Sequence, residues 1–175
     1  LKERNTIHDF LLQRQLILLY NNYLKNQLDT ALISAIVAKQ SEIASAFNTF
    51  RGKVDGKEMS DNELSNILKT EKTIERRKKA WEASKQVGQE VAPMVVELVK
   101  LRNHAAKQVG YADYYVMALA TDEQDANEII AIFDNLKRVT DEPFGQWKRD
   151  LDARLAKKFG VTVAQLRPWH YENPF

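Results

Sequence analysis

The chain has 175 residues, 26 Lys and Arg against 24 Asp and Glu, no Cys, and only six Gly and four Pro. That length gives one domain a sizeable core, and the shortage of Gly and Pro disfavours sandwiches and barrels, which need them at every corner. Zero Cys removes disulfide frameworks, thiol catalysis and cysteine zinc sites, and a net charge of +2 gives no strong field for nucleic acid or anionic lipid, so neither is expected as a partner.

Thr6 and Asp9 resemble a weak capping box, and an apolar face through Phe10, Leu11, Leu12, Leu16, Tyr20 and Leu24 predicts a helix over 6–27. The apolar run from Leu16 to Tyr20 is far too short to cross a membrane, and no signal-peptide pattern precedes it. A second helix is predicted over 31–50, followed by a loop around Asp55-Gly56. Ser60 and Glu63 form a better capping box and open a short helix over 61–69.

A charged helix is predicted over 71–87, with Ile74, Ala80, Trp81 and Ser84 facing inward. Pro93 suits the first turn of a new helix over 92–109, which ends at Gly110. A short helix over 111–119 is followed by a capping box at Thr121 to Gln124 and a helix over 122–140. Pro143 restarts the pattern over 142–159, and a last box at Thr162 and Gln165 opens a turn over 162–166. No alternating strand pattern or fixed-period repeat is evident, so the expected class is all-α, a bundle of long antiparallel helices with short loops.

The chemistry-bearing residues form no catalytic constellation. His8, His104 and His170 are far apart, and no His-Glu-x-x-His motif occurs, so neither catalytic nor metal-ligating residues are assigned. No Gly-rich phosphate loop and no nucleophile elbow is present. The run Glu75-Arg76-Arg77-Lys78-Lys79 lies one turn from Glu71 and Glu82, which allows pairing along the helix, and it reads as a solvated face rather than a nucleic-acid patch. Trp169, His170 and Tyr171, directly after Pro168, need something to pack against.

The blocks Arg77-Lys78-Lys79-Ala80-Trp81-Glu82 and Leu101-Arg102-Asn103-His104-Ala105-Ala106, then Gly110-Tyr111 and Leu166-Arg167-Pro168-Trp169-His170-Tyr171, carry a resemblance. In this order they resemble the helical N-terminal part of zinc peptidases of the oligopeptidase F, thimet oligopeptidase and peptidyl-dipeptidase type, relatives of angiotensin-converting enzyme. The resemblance implies a two-lobed helical enzyme whose channel admits short peptides, with zinc held by a His-Glu-x-x-His motif and a later Glu. That centre is absent from this sequence and is expected downstream in a full-length parent. This chain alone is therefore expected to hold no cofactor and to be inactive, contributing a lobe of the channel.

On that reading residues 1–175 are one helical domain or lobe of a larger chain, since both ends look cut. Its partners are the remaining catalytic portion of the same protein and short peptide substrates. Tyr114, Tyr115, Arg167, His170 and Tyr171 are polar-tipped or cationic groups suited to face the channel, where Arg and Tyr match peptide carbonyls and a terminal carboxylate. The alternative is a self-contained helical interaction module without catalytic activity. Absence of Cys and of a signal pattern favours the cytoplasm.

Overall fold

The computed structural model describes residues 6–172. The fold is all-α. Helix α1 spans Phe10–Leu24, α2 Thr30–Thr49, α3 Asp61–Thr70, α4 Ile74–Gln108, α5 Tyr114–Thr121 and α6 Ala126–Phe159. Short 3-10 turns lie at Lys25–Gln27, Val163–Gln165 and Pro168–His170. Among the described residues no helix is long and apolar enough to cross a membrane.

Carboxylates start four of these helices. Asp9 accepts from Leu12 N at 3.0 Å, Asp29 from Ala31 N at 2.7 Å, Asp113 from Val116 N at 2.9 Å and Asp125 from Asn127 N at 2.8 Å. A short anionic side chain satisfies an otherwise unpaired donor and also suits the positive end of the helix dipole. The caps at Asp9 and Asp125 move two starts later than the boxes expected at Thr6 and Thr121. Thr121 instead donates to the Ala118 carbonyl at 3.0 Å, at the end of α5. The boxes at Ser60 with Glu63 and at Thr162 with Gln165 form as expected.

Pro93 and Pro143 lie inside helices rather than at their starts. Pro93 is within α4 and Pro143 within α6, so four expected helices are two. Proline removes one ladder hydrogen bond, and here the long flanking stretches of good helix formers carry the ladder through.

The loop expected around Asp55 is a hairpin. Strand β1, Gly52–Val54, pairs antiparallel with β2, Lys57–Met59, with Val54 opposite Lys57. Asp55 and Gly56 turn the chain with φ of 51° and 80°, the positive pair that a two-residue turn of matching twist requires. Strands of three residues are too short to show alternation, although the Asp-Gly pair was visible in the sequence.

The residues divide into two compact units. One comprises the chain up to Ser41 with Val96–Asp134, and the other Glu42–Val95 with Asn135 onward. In the first, Leu24, Ala106 and Met117 form the buried centre, with Val109, Tyr111 and Tyr114 against it. Arg14 pairs with Glu123, and Lys39 with Glu97 at 2.8 Å. In the second, Val54, Met59, Leu64, Ile67, Ala80 and Ala83 form the core. Gly52 is fitted closely there: a Cβ would lie 2.9 Å from the Ala83 carbonyl oxygen and 2.9 Å from Leu64 Cδ1.

Much apolar surface stays open. Phe10, Leu12 and Tyr23 of α1 are exposed, as is the stripe Ile132, Phe133, Leu136 and Val139 of α6, with Phe133 at 65%. These are the faces that periodicity marks as inward.

Candidate functional site

The second unit contains a groove of about 510 Å³ along the C-terminal half of α6. Phe144, Trp147, Leu151 and Leu155 supply its apolar floor, spaced three and four residues apart on one helix face. Phe144 and Trp147 stack at 5.8 Å with their planes tilted by 35°. Lys148, Arg154, Lys158, Tyr171 and Glu172 provide the polar rim.

At the rim Tyr171 joins two charges. Its hydroxyl donates to Asp152 Oδ1 at 2.7 Å and accepts from Lys148 Nζ at 2.9 Å. Lys148 also pairs with Asp152 at 2.6 Å, one helical turn on. Burial pushes the Asp152 carboxyl upward, but hydrogen bonds from Lys148 and Tyr171 outweigh it and hold the group below its ordinary value. The bonds to Asp152 and Tyr171 raise the Lys148 ammonium correspondingly.

Behind Tyr171 stands Arg77, which is 0% exposed. Its Nε donates to the Trp169 carbonyl at 2.7 Å and its Nη2 to the Tyr171 carbonyl at 3.0 Å. Nη1 donates to the carbonyls of Leu68 and, at 3.1 Å, Glu71. The guanidinium lies 4.9 Å from the centre of the Phe159 ring. Burial lowers its proton affinity, with Glu172 and Glu71 pulling it back.

The five residues singled out in the sequence are placed as follows. His170 is 3% exposed, stacked edge-on against Phe159 at 5.2 Å. Its Nδ1 lies 2.9 Å from the Arg167 backbone nitrogen and 3.1 Å from the Arg167 carbonyl oxygen, and its Nε2 is buried without a partner among the described residues. Arg167 is exposed, with its guanidinium turned back onto the carbonyls of Ala164 and Leu166. Tyr171 lines the groove. Tyr114 and Tyr115 belong to the other unit. Tyr114 is half-buried beneath Arg102, whose guanidinium lies 5.0 Å from its ring centre, and Tyr115 is 52% exposed.

Sequence reasoning missed Arg77, Lys148 and Asp152. Arg77 lay within the run read as a solvated face, and its neighbours keep that reading: Arg76 faces Glu71 at 3.7 Å, Lys78 faces Glu82 at 3.7 Å and Lys79 contacts Asp55 at 2.7 Å. The available signal was spacing, since Arg77 falls three residues after Ile74 and three before Ala80 on the inward stripe. Lys148 and Asp152 were legible as an i, i+4 pair. Their tyrosine partner, 19 residues beyond Asp152, was not.

The described residues do not fit a zinc centre. No three His, Asp or Glu side chains come together among them as a metal-binding group, and His170 Nδ1 is taken by backbone.

The family model for angiotensin-converting enzyme, a peptidase family, matches residues 2–148. The chain belongs to the angiotensin-converting enzyme family. The match includes Arg77, Tyr114, Tyr115 and Lys148 and stops before Asp152, Arg167, His170 and Tyr171. No curated protein and no solved structure matches the chain. This peptidase-family region is helical apart from the short β1–β2 hairpin.

Proposed function

We propose that this region of an angiotensin-converting-enzyme-family peptidase forms part of the wall of a channel that receives short peptides. The groove at Tyr171 carries the proposal: an apolar floor with a few fixed polar groups is the usual chemistry of a ligand site, and about 510 Å³ lies within the usual range. Apolar peptide side chains would rest on Trp147 and Leu151, and peptide carbonyls or a terminal carboxylate would meet Lys148 and Arg154. The subtype proposed is the oligopeptidase F and thimet oligopeptidase kind, because of the ordered blocks ending in Pro168-Trp169-His170-Tyr171. Zinc would supply the activated water in such an enzyme. This chain's own contribution is to bind and orient, since it holds no His-Glu-x-x-His.

Fluorescence anisotropy of a labelled short peptide tests the proposal. Binding is expected to weaken in Trp147→Ala and to be absent for a folded protein of similar charge. No saturable binding at millimolar chain would sink it. Metal analysis after zinc loading is expected to find no stoichiometric ion; one tightly held zinc per chain would contradict the division of labour.

The exposed stripe Ile132, Phe133, Leu136 and Val139 favours a second reading, an interaction module whose helix face binds a partner helix. A stable monomer that binds neither apolar dye nor peptide at this stripe would remove that reading.

A further inference from the structure

The carbonyls around Tyr171 can be followed one by one. The 3-10 turn Pro168–His170 uses two of them internally: His170 N donates to Arg167 O at 2.9 Å and Tyr171 N to Pro168 O at 3.1 Å. The carbonyls of Trp169 and Tyr171 both turn the other way and are taken by a single side chain, Arg77. The same guanidinium takes the Leu68 carbonyl, which the end of α3 leaves without a helical partner, and that of Glu71 beyond it. Four hydrogen bonds to backbone therefore issue from one planar fork with five donors.

Among the described residues no side-chain carboxylate hydrogen-bonds to this buried cation. An apolar residue of the same volume would fill the space without the cost of burying a charge. What it could not supply is direction. A guanidinium presents its hydrogens in a fixed plane, so the positions of two carbonyls in the 169–171 segment are set relative to the end of α3. Tyr171 leaves that segment toward Lys148 and Asp152, and in that register its hydroxyl meets both.

We propose that Arg77 is a positioning residue: without touching a peptide, it fixes the backbone of Trp169 and Tyr171 so that the Tyr171 phenol sits on the Lys148–Asp152 pair and completes the groove wall. Its consequence for peptide binding rests on the channel reading above; its effect on the segment does not.

The test is backbone hydrogen exchange in the 175-residue chain, comparing the wild type with Arg77→Lys and Arg77→Ala. Exchange at the amides of Arg167, His170 and Tyr171 is expected to rise at least about tenfold in both variants, while α4 keeps its protection. Added guanidinium ion at sub-denaturing concentration is expected to restore protection in Arg77→Ala and not in Arg77→Lys, because only the alanine variant leaves the fork's place open. Wild-type protection of the segment in either folded variant overturns the proposal. So does a loss of protection spread across the whole unit in both variants, which would make Arg77 a general core residue. If Arg77→Ala alone fails to fold, Arg77→Lys decides. In the anisotropy assay, Arg77→Lys is expected to weaken peptide binding about tenfold. A freed segment with unchanged peptide affinity would keep the role of Arg77 and remove Tyr171 from the peptide site, whereas absence of saturable binding in the wild type would sink the channel reading and leave the role of Arg77 standing.

Discussion

Arg77 and Trp169, 92 residues apart in sequence, meet at 2.7 Å through a side-chain nitrogen and a backbone carbonyl. The indole of Trp169 then packs edge-on to Trp81 at 5.9 Å, one turn after Arg77 on the same helix, with Lys78 over its face at 5.5 Å. The segment following Pro168 is thus held by its backbone on one side and by its ring on the other.

Replacing Arg77 by Met keeps the bulk and deletes the donors. Four carbonyls lose their partner, and hydrogen bonds to a charged group each contribute about 1.5–3 kcal/mol. Part of this is offset because the charge no longer has to be buried. A net loss of at least about 2 kcal/mol is expected in urea denaturation. A variant as stable as the wild type would show that desolvation of the guanidinium cancels its bonds.

Gly52→Ala and Gly88→Ala are expected to move stability in opposite directions. A methyl at Gly52 lies 2.9 Å from a backbone oxygen that cannot swing away, and overpacking of this kind costs about 1–3 kcal/mol. At Gly88, inside α4, nothing lies within 4 Å, and alanine there is expected to stabilise by about 0.5–1 kcal/mol. Thermal melts of the pair check both, and equal shifts would refute the assignment of Gly52 to a close approach.

The Asp152 carboxyl sits below its ordinary value in the folded chain. A depressed acid contributes stability that is present above the unfolded value, about 3.9, and lost as pH falls through the folded value. Lys148 is shifted upward, so its contribution is present below about 10.4 and lost as pH rises beyond the folded value. Melting temperatures are expected to be level near neutral pH and to fall below about pH 4. Asp152→Asn should flatten part of that acid limb. A steeper acid limb in Asp152→Asn would contradict the sign of the shift.

Ser60→Ala removes the cap of α3. Ser60 Oγ accepts from Glu63 N at 3.4 Å, and the Ser60 amide donates to Glu63 Oε2 at 2.8 Å, so only half of the box is deleted. The expected cost is about 1 kcal/mol by chemical denaturation. The Glu63 carboxyl, held low first by the Ser60 amide and then by the Ser60 hydroxyl, should rise only part of the way toward its ordinary value in an NMR titration, since the amide still donates.

The helical class was legible because apolar residues recur at helical spacing through long stretches with few breakers. The caps at Ser60 and Thr162 were legible as short-range chemistry. Continuity through Pro93 and Pro143 was not, since a proline ends one helix and kinks another according to how strongly its flanks persist. Of the site, Tyr171 was singled out and Lys148 with Asp152 was not, because a surface-type pair on a helix has the same sequence pattern whether or not a phenol joins it. His170 was read as a group facing a channel, and its burial against Phe159 depends on a turn whose folding the local sequence does not specify.

By itself the sequence determined the helical class and two of the caps, which depend on residues within a few turns of one another, and the likeness of its ordered blocks to peptidases related to angiotensin-converting enzyme. Only the tertiary structure decided that one arginine in a run of charges is interior, that its fork meets carbonyls from two distant segments, and that Tyr171 joins Lys148 and Asp152. The physical reason is range. Periodicity and capping act over a turn or two of helix, whereas the burial of Arg77 depends on partners 92 and 94 residues away.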